Sequence, residues 1–102
     1  MNKLKFHEQI WLNDLNELII SHLKDPNFTI AQLAQKLYLS SASLNRKVNH
    51  ICGCSPGDYV RKIKIEKAKE LLETNENTNF SSIAKKLGYS NSTYFSKIYW
   101  QS

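Results

Sequence analysis

The chain has 102 residues, 41% of them hydrophobic, with only three Gly and two Pro and a formal net charge of +5. That length allows one modest core, or two small ones sharing an element, and so few turn formers beside many Leu, Ile, Lys and Glu favour helices over sheet. No window of about eighteen apolar residues exists to span a membrane, and Met1–Phe6 runs into His7, Glu8 and Gln9 instead of a secretory apolar segment, so the expected compartment is the cytoplasm.

A first helix is expected from about Glu8 to Lys24, with Trp11, Leu12, Leu15, Leu18, Ile19 and Leu23 on one stripe at helical spacing. Asp25-Pro26-Asn27 ends it. Thr29 and Gln32 then have the spacing of a capping box for a short second helix that ends near Leu37 and buries Ile30, Leu33, Ala34 and Leu37. Ser40 is the N-cap expected for a third helix, in which Leu44, Val48 and Ile51 face inward and Ala42, Asn45, Arg46 and Asn49 face out.

Gly53 stops that helix, and Ser55-Pro56 opens a fourth as N-cap and first-position proline, running to about Glu73. Its apolar residues Tyr59, Val60, Ile63, Ile65, Ala68, Leu71 and Leu72 wrap well over half the circumference, too much for a helix buried on one side. It is expected to pack between two units, with Lys62, Glu66, Lys69 and Glu73 as a narrow solvent face of opposite charges. Residues 74–79 form a polar connector. A fifth helix burying Ile83, Ala84 and Leu87, with Phe80 standing where Ile30 stood, ends at Gly88. The sixth starts around Asn91 and buries Phe95, Ile98 and Tyr99.

This chain writes one device twice. Leu33-Ala34-Gln35-Lys36-Leu37-Tyr38-Leu39-Ser40 lies over Ile83-Ala84-Lys85-Lys86-Leu87-Gly88-Tyr89-Ser90, and Ser43, Lys47 and Val48 lie over Thr93, Lys97 and Ile98. A short helix with a packed Ala, a turn, and a Ser-capped second helix with a polar outer face read as a helix-turn-helix. The charge follows the repeat, because residues 1–35 sum to −1 and the rest of the chain to +6. A solvated lysine surface gives the same total, so the charge gains meaning only beside the repeat. Ser102 lies over Cys52 of the first copy, so the second copy is expected to lack a closing helix within these residues.

Three runs together resemble the DNA-binding domain of the AraC/XylS family of bacterial transcriptional regulators, over about Leu15 to Gln101. They are Ser40-x-x-x-Leu44-x-Arg46-Lys47, then Gly53-x-Ser55-Pro56-x-x-Tyr59-x-Arg61, and Ile83-Ala84-x-x-x-Gly88-Tyr89-Ser90-x-Ser92-x-Tyr94-Phe95-Ser96-Lys97. The resemblance implies an all-α fold of two homeodomain-like helix-turn-helix units, 8–53 and 80–101, joined by a linker helix, 55–73, within a single DNA-binding domain, 1–102. It implies recognition helices 41–52 and 91–100 in successive major grooves of double-stranded DNA. By position, the base-facing residues are Ala42, Asn45, Arg46, Ser92, Thr93, Ser96 and Lys97, and the backbone contacts are Ser40, Ser41, Lys47, Asn49, Ser90 and Asn91. It also implies a sensing or dimerisation domain not contained in this chain, as in the output part of a hybrid two-component regulator, with RNA polymerase as a further partner and no cofactor. The chain departs from the pattern at Tyr38, where the turn usually has Gly, at Trp100, where a basic residue is usual, and in the missing final helix.

Side-chain chemistry then assigns roles. Arg46 can present its fork to guanine or phosphate, Asn45 can pair with adenine, and Ala42 can touch a thymine methyl. Ser92, Thr93 and Ser96 are short donors that read weakly, and Lys97 suits a phosphate. The first unit is therefore expected to supply most discrimination and the second mostly affinity. Lys62, Lys64, Lys67 and Lys69 read as a helix flank and Tyr94 and Phe95 as packing residues. The rival chemistry is His50, Cys52 and Cys54 as soft metal ligands, but no second spaced pair exists to complete a zinc site. No carboxylate pair, glycine-rich phosphate loop or Ser/His/Asp set stands at recognisable spacing, so an enzyme is not expected. A helical interaction module is the other rival, since Trp11, Ile10 and Ile20 leave apolar surface on the first helix.

Overall fold

A computed structural model of the chain describes residues 4–74, 80–89 and 92–101, with backbone alone at residues 74, 80, 92–94 and 98. Among the described residues all regular structure is helical: α1 (Phe6–Ser21), α2 (Ile30–Lys36), α3 (Ser41–Cys52), α4 (Pro56–Thr74), α5 (Phe80–Lys86) and α6 (Ser92–Gln101). The expected polar connector, the inward places of Phe80 and Ile98 and the start at Asn91 lie outside the described residues.

Local side-chain chemistry explains the ends. α1 begins two residues earlier than expected because the Lys5 amide donates to Glu8 Oε1 at 3.0 Å, which puts Glu8 inside the first turn instead of at its start. That hydrogen bond, helped by the nearby His50 ring, holds the Glu8 carboxyl below the ordinary carboxylate range. The same helix stops at Ser21 instead of Lys24. Ser21 Oγ donates to Leu18 O at 2.9 Å and His22 Nδ1 also lies 2.9 Å from that carbonyl, while the His22 amide tightens onto Ile19 O at 3.2 Å. His22 then stacks on Phe28 with ring centroids 4.1 Å apart, stapling the turn into α2.

α2 carries the expected capping box. The Gln32 amide donates to Thr29 Oγ1 at 3.1 Å and the Thr29 amide to Gln32 Oε1 at 2.9 Å. Ser40 caps α3 by accepting from the Ser43 amide at 3.1 Å, and Gly53, at φ +72°, ends it in the left-handed conformation. Ser55 Oγ accepts from the Asp58 amide at 3.1 Å to open α4. With 19 residues, that helix is about 28 Å long at the usual rise.

α4 packs against α1, α3 and α5, so both of its flanks are occupied as its wide apolar surface demands. Ile65 and Ala68 are its most buried residues, and Tyr59, partly buried, donates its hydroxyl proton to Asn16 of α1. Burial raises the Tyr59 phenol above its ordinary value. Among the described residues, α4 carries the ion pairs Asp58–Arg61 at 3.6 Å and Lys67–Glu70 at 3.5 Å, and none is seen among Lys62, Glu66, Lys69 and Glu73. Both lie at i,i+3 on exposed surface and contribute little.

One continuous core runs through both units: Leu15, Ile19 and Leu23, then Leu33, Ala34, Leu44 and Val48, then Ile65 and Ala68, then Ile83, Ala84, Leu87 and Phe95. Ile30 and Leu37, at the two ends of α2, and Ile51, in the last turn of α3, are half-buried instead of fully inward. The radius of gyration, 14.4 Å, exceeds the roughly 13 Å of a spherical domain this size, and the extents of 40 × 31 × 21 Å show the elongation.

The two turns of the repeat share one backbone form. Tyr38 has φ +59° and Gly88 φ +83°, and the following residues close the same bond, Leu39 N to Ala34 O at 2.9 Å and Tyr89 N to Ala84 O at 2.8 Å. A tyrosine pays steric strain of about 1 to 2 kcal/mol there, while glycine loses about 0.5 to 1 kcal/mol in chain entropy. Since Tyr38 is 96% exposed and gives up no packing, Tyr38→Gly is expected to stabilise the protein by about 0.5 to 1 kcal/mol. The check is the urea midpoint, which should rise; an unchanged or lower midpoint would show that Tyr38 carries no net strain.

Candidate nucleic-acid interface

α3 is built to offer one face. Leu44 and Val48 are fully buried, which fixes the helix's rotation and turns Ala42, Asn45, Arg46 and Asn49 into solvent as a row at i, i+3, i+4 and i+7. Arg46 Nη2 donates to Ser43 Oγ at 3.2 Å, and Ser40 Oγ donates to Ser43 Oγ at 3.0 Å. The guanidinium is thereby leaned toward the helix N-terminus with donors to spare. Asn49 Nδ2 donates to Asn45 O at 2.7 Å and Oδ1 at 3.1 Å, so Asn45 is held with its own amide NH₂ outward-capable. Ser40 and Ser41 are exposed at the start of the same helix.

Lys47 does not join this row. Its ammonium sits 4.6 Å from the centre of the Trp11 ring, so the side chain is turned toward α1. His50 Nε2 lies 3.4 Å from Glu8 Oε2, giving α1 a second hold on α3 one turn farther on. These two contacts brace the outward helix from behind, and nothing in the spacing of Trp11 or Glu8 announced them. They also bear on the rival metal site. The His50 ring lies against Glu8 of α1, and burial, with Cys54 beside it, pushes the Cys52 thiol above its ordinary value. Among the described residues no cluster of three metal-binding side chains occurs.

In the second unit Phe95 is the buried anchor of α6, packed against Tyr89 at 5.1 Å and Tyr99 at 6.2 Å between ring centres. That rotation leaves Lys97 exposed and Ser96 half-buried. Ser90 and Asn91, and the side chains of Ser92 and Thr93, lie outside the described residues. Trp100, one turn beyond Ser96, is 72% exposed and meets Tyr99 edge-on at 5.1 Å. Sequence reasoning noted Trp100 only as a departure. Its i+4 relation to Ser96 was the available signal that it extends the same face.

The fold and this double arrangement of helices invite comparison with known proteins. A helix-turn-helix domain model matches residues 33–101, and a Mga helix-turn-helix domain model matches residues 5–53. The chain belongs to the AraC-type helix-turn-helix family. It is similar to the arabinose operon regulatory protein of Escherichia coli, 30% identical over 83 residues that make up 81% of this chain and 28% of that protein. The C-terminal domain of the two-component response regulator yesN from Fusobacterium nucleatum aligns with a TM-score of 0.74 at 31% identity, covering 88% of this chain and 93% of that one. The DNA-binding domain of AdpA, a global transcriptional factor solved in complex with a target DNA, shares the fold with a TM-score of 0.78 at 20% identity, covering 89% and 80% of the two chains.

AraC-type membership makes this chain a DNA-binding domain of the transcription-regulator class, a family that is not normally enzymatic. The chain spans under a third of the length of the curated relatives it matches. Among the described residues no helix is long and apolar enough to cross a membrane.

Proposed function

We propose that the chain binds double-stranded DNA sequence-specifically through both units, with α3 and α6 in successive major grooves on one face of the duplex, to regulate bacterial transcription in the cytoplasm. The observation that carries this is the exposed row Ala42, Asn45, Arg46 and Asn49 on a capped helix whose opposite side is fully buried, in a device present twice along one core. Successive grooves on one face lie about 34 Å apart, a span within the 40 Å long axis of the molecule.

Within the first unit, Arg46 reads guanine, Asn45 reads adenine and Ala42 lies against a thymine methyl, while Ser40, Ser41 and Asn49 meet the backbone. In the second, Ser92, Thr93 and Ser96 read weakly and Lys97, with Ser90 and Asn91, holds phosphates. Lys47 serves the protein's own packing on Trp11 first and the DNA second. A sensing or dimerisation domain on the longer regulator, of the kind response regulators carry, would control this output, and RNA polymerase is the further partner it would address.

Selection from random duplex DNA followed by footprinting tests the reading. Two protected patches about one helical turn apart are expected; a single patch would confine recognition to one unit. The rival interaction-module reading draws on Phe6, Ile10 and Ile20, exposed on α1. Absence of DNA binding even at low salt, where phosphate contacts are strongest, would put that reading in place of ours.

A further inference from the structure

The repeat contains an internal control on the residue in its turns. In the first unit the left-handed position holds Tyr38, whose side chain stands almost fully in solvent. The second unit has the same backbone form at Gly88, yet there a Cβ would lie 2.6 Å from the Leu23 carbonyl oxygen and 3.5 Å from the carbonyl carbons of Lys24 and Asp25. The left-handed conformation alone therefore does not demand glycine in this fold, because the first copy tolerates a bulky aromatic in it. What excludes a side chain at 88 is the α1–α2 turn of the first unit pressed against the α5–α6 turn of the second.

Further contacts surround that seam. Leu23 on one side and Leu87 on the other are both buried within the common core. Lys64 reaches from α4 to place its ammonium 4.8 Å from the centre of the Tyr89 ring, directly after Gly88. Burial at this place lowers the Lys64 pKa from its ordinary value. A linker helix by itself fixes how far apart the two units lie, but α5 and α6 can still roll about it. A second point of attachment, on α1, removes that roll.

We propose that the Gly88–Leu23 backbone seam is the positioning device that sets the rotational phase of α6 relative to α3, and so the spacing of the two half-sites the protein accepts. Gly88 is a positioning residue, since it lies in the turn ahead of α6 and acts through that helix. This inference rests on the two-groove reading above.

The test uses the 102-residue chain and the duplex recovered by selection, rebuilt with one to three base pairs inserted or deleted between its two patches. Wild type is expected to prefer one spacing by tenfold or more in fluorescence anisotropy. Gly88→Asn is the informative variant, because asparagine accepts the left-handed conformation at little cost and yet brings the excluded Cβ. It is expected to weaken binding to the best spacing at least tenfold and to flatten the preference across neighbouring spacings, with binding to a duplex carrying only the first unit's half-site unchanged. Tyr38→Ala, at the matching turn, should leave the spacing profile as in wild type. If Gly88→Asn keeps the wild-type spacing preference, the seam does not set phase and the proposal is overturned. Loss of amide exchange protection throughout α6 in Gly88→Asn would also overturn it, since the seam would then hold the unit folded instead of aiming it. A wild-type protein indifferent to spacing would overturn the two-groove reading itself, and this proposal with it.

Discussion

Phe95→Ala is expected to lower stability by about 3 to 5 kcal/mol, a large share of the roughly 5 to 15 kcal/mol that holds a domain folded. Phe95 is fully buried, and its ring is the one that both Tyr89 and Tyr99 pack upon. Truncation leaves a cavity between α6 and the α5–α6 turn that two tyrosines cannot fill without leaving their partners. Thermal unfolding should show the melting temperature down by more than about 10 °C. DNA contacts of the second unit should fade before those of the first, because α2 and α3 keep Leu33, Leu44 and Val48. A loss below about 1 kcal/mol would mean that α6 is anchored elsewhere than the Phe95 pocket.

Arg46→Ala is expected to weaken binding to the selected site by about 1 to 3 kcal/mol, roughly 5- to 150-fold, and to relax the choice of base at one position. The structure strengthens the expectation in one respect. Arg46 is held at Nη2 by Ser43, which is itself held by Ser40, so part of the rotamer freedom that a bound arginine loses is already gone before DNA arrives. Lys97, exposed on α6, presents a compact point charge better suited to a phosphate. Lys97→Ala should weaken all sequences alike and reduce the salt slope by about one. Competition with base-substituted duplexes separates the two. If Lys97→Ala relaxes sequence choice more than Arg46→Ala does, the division of labour between the units is reversed.

Much of the fold was legible in local chemistry. Thr29 with Gln32, Ser40 with Ser43, and Ser55 before Pro56 are caps within three or four residues of one another, so sequence distance is a good guide to their bonds. The same holds for the α3 row, since Leu44 and Val48 set the rotation and Asn45 and Arg46 follow by helical geometry. The ends of α1 were less legible. Glu8 reaching back to Lys5, and Ser21 and His22 competing for the Leu18 carbonyl, depend on side-chain choices that a hydrophobic stripe does not record.

The repeated segment, its apolar periodicity and its capping residues by themselves determined the helical elements and the outward polar row on α3, because each follows from interactions one or two turns long. Only the tertiary structure decided that Lys47 is drawn to Trp11, that His50 meets Glu8, and that Gly88 abuts the Leu23 carbonyl. Those partners stand 36, 42 and 65 positions apart. Their meeting depends on how α1 crosses the bundle, and that is set by the shared core as a whole and not by any short stretch of it.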